Sequence, residues 1–254
     1  MANIMDYLVW RGDLDWDASP FNEVDNVILS ELVYVDFSDI VPQVGEGSIT
    51  LFEANKRFFA QHTEEEINAR VSSTKMAAFM MREMVKTKRF KDILLADYVD
   101  DIRQDEQSQF CAMTVDLGDG RCNVVYSGTD STIVGWKEDF NMSFLSETPG
   151  QAEAVEYLKR VAADHDGPLR LMGHSKGGNL SVYAAVNSDK ALQDRIEIIY
   201  SNDGPGFRDT MIEQKAYREL IGRITTIVPE SSIVGMLFEH EEEYEIVRSS
   251  GSGA

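Results

Sequence analysis

Between residues 151 and 229 the hydrophobic pattern switches repeatedly between helical spacing and short continuous apolar runs. Gln151–Ala163 carries apolar residues at 155, 158, 161 and 162, one stripe of an amphipathic helix that stops at Asp166-Gly-Pro168. Leu169–Met172 then reads as a strand, followed by a helix that begins just after Ser175. Ile196–Tyr200 is a second strand, Glu213–Ile221 another helix, and Ile224–Val228 a strand stopped by Pro229. Strand alternating with helix predicts a parallel sheet covered on both faces, because a crossover helix needs a sheet face on which to bury its apolar stripe. Upstream, Asp92–Ala96, Phe110–Val115 and Asn123–Ser127 read as strands. The last two are joined at Gly118-Asp-Gly120 and should form an antiparallel hairpin.

The first 90 residues read as mainly helical. Asn26–Val33 has apolar residues at 27, 28, 29, 32 and 33, and residues 53–88 have helical composition with a capping box at Thr63-Glu-Glu-Glu66. Met76, Phe79, Met80 and Met84 share one face there, which reads as core in preference to an adaptable lid over an apolar site. The expected organisation is an N-terminal helical or cap segment at 1–90, an α/β core at 91–248 and a flexible polar end at 249–254.

Charge and cysteine content narrow the partners. With 44 acidic against 24 basic residues the net charge is −20, which disfavours nucleic acid or an anionic membrane, since both recruit clustered Lys and Arg. No apolar run approaches the ~18 residues of a spanning helix, and the start lacks the basic and apolar blocks of a signal peptide. Cys111 and Cys122 flank the hairpin turn and read as two reduced thiols, so the expected setting is cytoplasmic. No His, Cys or carboxylate cluster has metal-ligand spacing and no phosphate-binding glycine loop occurs; neither metal nor cofactor is expected.

The chemistry concentrates at Gly173-His-Ser-Lys-Gly177. G-x-S-x-G between a strand and a helix is a nucleophile elbow, in which a serine on a sharp turn leaves no room for side chains two residues away on either side. A serine hydroxyl is a poor nucleophile at neutral pH, so Ser175 needs a base, an acid to orient it and donors for an oxyanion. His240 is the only histidine downstream and is the candidate base. Asp203, after the Ile196–Tyr200 strand, is the favoured acid, with Glu230 as competitor. The oxyanion donors would be the backbone N–H of Lys176 and the N–H and hydroxyl of Thr129, brought close by a turn at Gly128.

Ser127-Gly-Thr-Asp-Ser-Thr-Ile-Val-Gly-Trp136-Lys-Glu-Asp139, followed by the elbow, resembles the paired signatures of class 3, fungal-type lipases. The whole chain resembles a bacterial branch of lipase-like α/β-hydrolases, and residues 110–245 resemble class 3 lipases. The resemblance implies Ser175 as nucleophile, Thr129 and Lys176 as oxyanion donors and His240 as base. One departure concerns the acid: class 3 lipases carry Asp-x-Val-Pro where this chain has Thr226-Ile-Val-Pro229. Asp203 or Glu230 must then substitute. Members of the branch also continue into a further His-containing segment, which leaves a second source for the base open. The expected activity is hydrolysis of a small-molecule or lipid carboxylic ester. A catalytically silent binding protein of the same fold, or a thioesterase or amidase with the same nucleophile, are the alternatives.

Overall fold

The computed structural model describes residues 2–69, 73–103, 108–129 and 147–249. Trp136 and Asp139 lie outside them, as does the polar end from residue 250.

Eight strands form one sheet in which spatial order follows chain order. Strands β1 (Ser48–Thr50), β2 (Leu94–Arg103), β3 (Ser108–Asp116) and β4 (Cys122–Tyr126) pair antiparallel; β4, β5 (Leu169–His174), β6 (Ile196–Asn202), β7 (Ile224–Pro229) and β8 (Tyr244–Val247) pair parallel. The hairpin turns at Gly118 and Gly120, both at φ 77°, a region glycine enters without a Cβ penalty.

Two hydrophobic clusters lie on the two faces of the sheet, as the pleat requires. One joins Cys111, Met113, Val115, Val125, Met172 and Tyr200 to the N-terminal helices α1 (Ile4–Arg11), α2 (Glu23–Leu32), α3 (Leu51–Gln61), α4 (Glu64–Ala69) and α5 (Met76–Met84). The other joins Phe110, Ala112, Val124 and Leu171 to α6 (Pro149–Asp164) and α7 (Lys176–Val186), and to α8 (Lys190–Arg195), α9 (Asp209–Ile212) and α10 (Lys215–Leu220). The helices of the first 90 residues are therefore one covering layer of the sheet, sharing its core. Met80 and Met84 are buried in that layer whereas Met76 is exposed. Cys111 and Cys122 belong to opposite faces and are unbridged.

The chain departs from its hydrophobic pattern at both edges of the sheet. β1 is too short to show alternation, and β8 is exposed along its length between glutamates, so neither announces itself by period. β2 continues to Arg103 through a bulge between Ala96 and Val99, where Asp97 sits at φ 54°. Its carboxylate is nevertheless buried, accepting from Thr114 Oγ1 at 2.6 Å and from the Gly45 N–H at 3.1 Å. An antiparallel edge leading into five parallel strands, with helices on both faces and a sharp turn after β5, is the α/β-hydrolase fold. No helix among the described residues is long and apolar enough to cross a membrane.

Candidate active site

Ser175 stands between β5 and α7 at φ 55° and ψ −128°, a strained conformation for a residue with a side chain. The glycines around it are required by contact. A Cβ on Gly173 would lie 2.3 Å from the Gly177 carbonyl, and one on Gly177 would lie 2.2 Å from the Tyr126 carbonyl oxygen. The turn is held by the Ser175 N–H donating to Asn202 O at 2.9 Å and the Gly178 N–H donating to Ser175 O at 2.9 Å.

Gly128, after β4, comes equally near: a Cβ there would stand 3.2 Å from Ser175 Cβ. This puts the half-buried Thr129 one residue from the point of closest approach. Lys176 is buried, its ammonium donating to Gln109 O at 2.7 Å, so its side chain runs to β3. His174 turns the other way, to within 2.9 Å of the Tyr34 hydroxyl through Nδ1.

The structure brings His240 together with a carboxylate, and that carboxylate is Glu242. His240 Nδ1 lies 2.9 Å from Glu242 Oε1, both side chains less than a tenth exposed. Asp203, the favoured acid from sequence, sits instead at φ 54° and accepts from Ser232 Oγ and, at 3.1 Å, from the Gly235 N–H. Glu230 is exposed at the end of β7. Thr226, where class 3 lipases carry aspartate, donates its hydroxyl to Glu242 Oε1 at 2.8 Å, and Tyr217 donates to Oε2 at 2.5 Å. The carboxylate thus occupies the end of β7 from the following strand segment. Burial would raise its pKa, but the hydrogen bonds from His240, Tyr217 and Thr226 outweigh that and hold it at about 2. Burial and the Glu242 carboxylate together push the Tyr217 phenol up.

His240 Nε2 is buried with no hydrogen-bond partner among the described residues. The segment carrying it is zipped to the β6–α9 connection, with the Gly206 N–H donating to Leu237 O at 2.8 Å and Phe207 bridging Glu239. A Cβ on Gly206 would stand 3.0 Å from His240 Cδ2. Asn179, one turn into the elbow helix, donates to the carbonyls of Pro205 and Gly206 at 3.0 and 3.1 Å. The segment that carries His240 is therefore linked through Gly206 to the helix that Ser175 begins.

Glu242, the carboxylate at His240, is not singled out by the sequence. Its signal was present as three successive glutamates beside His240 together with a threonine in the acid position, but nothing local distinguishes Glu242 from Glu241 or Glu243.

The Mbeg1-like family model, that of a class 3 lipase-like family, matches residues 84–254. Among solved structures, the chain is similar to the native Rhizomucor miehei lipase propeptide complex at 17% identity and TM-score 0.46, over 63% of this chain and 58% of that one. A fungal lipase in an inhibitor complex is similar at 15% identity and TM-score 0.43, over 61% and 62% of the two chains. M37 lipase is similar at 14% identity and TM-score 0.49, over 86% and 70%. The chain thus spans about three fifths of the length of the two fungal lipases. Among curated proteins nothing matches.

Proposed function

Because this chain belongs to the Mbeg1-like family, we propose that it is a serine hydrolase cleaving a carboxylic ester through an acyl-enzyme on Ser175. The observation that carries the reading is the buried His240–Glu242 pair, with Nδ1 held by the carboxylate and Nε2 buried without a partner among the described residues. A carboxylate at Nδ1 selects the tautomer that carries its proton there, leaving the Nε2 lone pair to act as base.

In the reaction, Ser175 Oγ attacks the acyl carbon while its proton passes to His240 Nε2, and ionised Glu242 stabilises the imidazolium. The carbonyl oxygen takes the negative charge and receives hydrogen bonds from the Lys176 N–H and from Thr129. Each such donor contributes on the order of 10²–10³ in rate. Collapse breaks the ester C–O bond; the leaving alcohol takes the proton from Nε2. Water then attacks the acyl-enzyme with the same base, releasing the acid and restoring Ser175.

The substrate is taken as a small-molecule or lipid ester, with thioesters and amides open to the same nucleophile. Thr226 motivates the alternative of a silent binding protein. The Glu242 carboxylate 2.8 Å from its hydroxyl favours the hydrolase.

A fluorophosphonate probe and short p-nitrophenyl esters test the reading. Labelling and turnover are expected in the wild type and in His62→Ala, and are expected to vanish in Ser175→Ala, a loss of about 10⁴-fold or more. An unlabelled wild type beside a labelled control esterase overturns it.

A further inference from the structure

Helix α2 lies against β4, β5 and β6 and buries Ile28, Leu29 and Leu32 without any exposure. On such a surface, Asn26 and Ser30 are out of place. Both are also fully buried, and a polar group there is costly unless it is paired.

They are paired, with each other through the Ser30 hydroxyl donating to Asn26 Oδ1 at 3.4 Å and both with Asn202, at the end of β6. Asn202 Nδ2 donates to Asn26 Oδ1 and Ser30 Oγ, each at 3.0 Å, and Asn26 Nδ2 donates back to Asn202 Oδ1 at 2.7 Å. The same Asn202 Nδ2 donates to Gly173 O at 3.1 Å, and the Asn202 carbonyl accepts the Ser175 N–H at 2.9 Å. Both peptide groups between Gly173 and Ser175 are thereby bound to a single asparagine whose amide is fixed by α2.

In the turn that follows α2, Tyr34 holds the remaining elbow residue. Its hydroxyl is 2.9 Å from His174 Nδ1, and the two rings meet edge to face with centroids 5.8 Å apart. Asn26 and Ser30 are spaced i, i+4 on one line of the helix surface, and Tyr34 lies in the turn just past the helix end, its N–H donating to Glu31 O at 3.3 Å.

A strained backbone at a functional residue is unfavourable and persists only where its surroundings hold it. We propose that α2 and the turn that follows it are the positioning element of the nucleophile elbow: Asn26 and Ser30, acting through Asn202, and Tyr34, acting through His174, hold Ser175 in its strained conformation. This rests on the hydrolase reading. All three residues precede the segment matched by the family model, so the N-terminal layer becomes a working part of the site.

Asn26→Ala, Ser30→Ala and Tyr34→Phe test it, with Thr87→Ala as a stability control. Thr87 is buried in the same layer and donates to Met84 O at 2.7 Å, away from the elbow. Two quantities are measured where every variant is folded: fluorophosphonate acylation of Ser175 with kcat and KM, and hydrogen exchange of the Ser175 amide. The expected result for Asn26→Ala is a fall in acylation and kcat of about tenfold or more with KM nearly unchanged, because small misplacements of a nucleophile act on the chemical step.

Smaller falls are expected for Ser30→Ala and Tyr34→Phe. Ser175 exchange should accelerate in all three and not in Thr87→Ala. Wild-type acylation and exchange in the α2 variants, or equal losses in Thr87→Ala, overturn the inference. If the wild type itself is unreactive, the hydrolase reading fails, and exchange at Ser175 still decides whether α2 holds the elbow.

Discussion

The elbow and the arm that carries the proposed base are specified in different ways. At the elbow, identity is dictated by contact within a few residues: Gly173 and Gly177 are glycine because a Cβ would collide with backbone 2.2–2.3 Å away. In the arm between β7 and β8, His240 and Glu242 are placed by partners far along the chain, Thr226, Tyr217 and Gly206. A rigid turn can be written in a motif. A hydrogen-bonded carboxylate can be supplied from any segment that reaches the same point, so its position in sequence is free to move.

The sharpest way to break that comparison is to exchange the two acids. Glu242→Gln is expected to lower kcat by about 10²–10⁴, since a carboxylate that fixes the base and stabilises its protonated form is worth that much. Asp203→Asn keeps the acceptor oxygen used by Ser232 and the Gly235 N–H and should cost no more than a few-fold. Steady-state kinetics on one ester with both variants decides it; the opposite ranking would return the acid role to Asp203.

The same contrast explains what could be read in advance. Strands β5 to β7, α6 and the β3–β4 hairpin follow from period and turn residues, because each buries a regular stripe. Ser175 follows from its glycines. Asp203 was favoured because Asn-Asp-Gly-Pro-Gly at a strand end has the right topological place, and its carboxylate is indeed used there, as a clamp on the 232–235 loop. Glu242 was hidden because β8 is an exposed edge strand with no apolar alternation, so its pairing beside β7 leaves no trace in the pattern. Asn26 and Ser30 were hidden for the converse reason: a fully buried helix face tolerates a polar residue once Asn202, 172 to 176 positions away, satisfies it.

The arm also predicts a pH signature that the elbow lacks. Glu242 is held at about 2, below its ordinary 4.5, so the unfolded chain binds its proton first as the pH falls. The stability it contributes is complete above about pH 4.5 and lost as the pH drops towards 2. From that shift it amounts to about 3 kcal/mol. Urea unfolding at pH 7 and pH 3 should show the wild type losing more stability than Glu242→Gln by about 2 kcal/mol. Equal losses would mean that the His240–Glu242–Thr226 arrangement is not formed in solution.

The smallest effect separates strain from hydrogen bonding. Ser175 holds φ 55° with a Cβ in place, whereas glycine enters that region at no steric cost. Replacing serine by glycine removes the nucleophile and relieves the turn, but it also gives the unfolded chain more conformations, which subtracts roughly 0.4–1 kcal/mol. Against a strain of about 1–3 kcal/mol, the balance for Ser175→Gly is a gain on the order of 1 kcal/mol. Ser175→Ala keeps the Cβ and should show no such gain, although both variants lack the hydroxyl. Denaturant midpoints of the two variants against the wild type measure the difference directly. A Ser175→Gly variant no more stable than Ser175→Ala would mean that the elbow is relaxed, and that its glycines are there only to admit Tyr126 and Gly177 at close range.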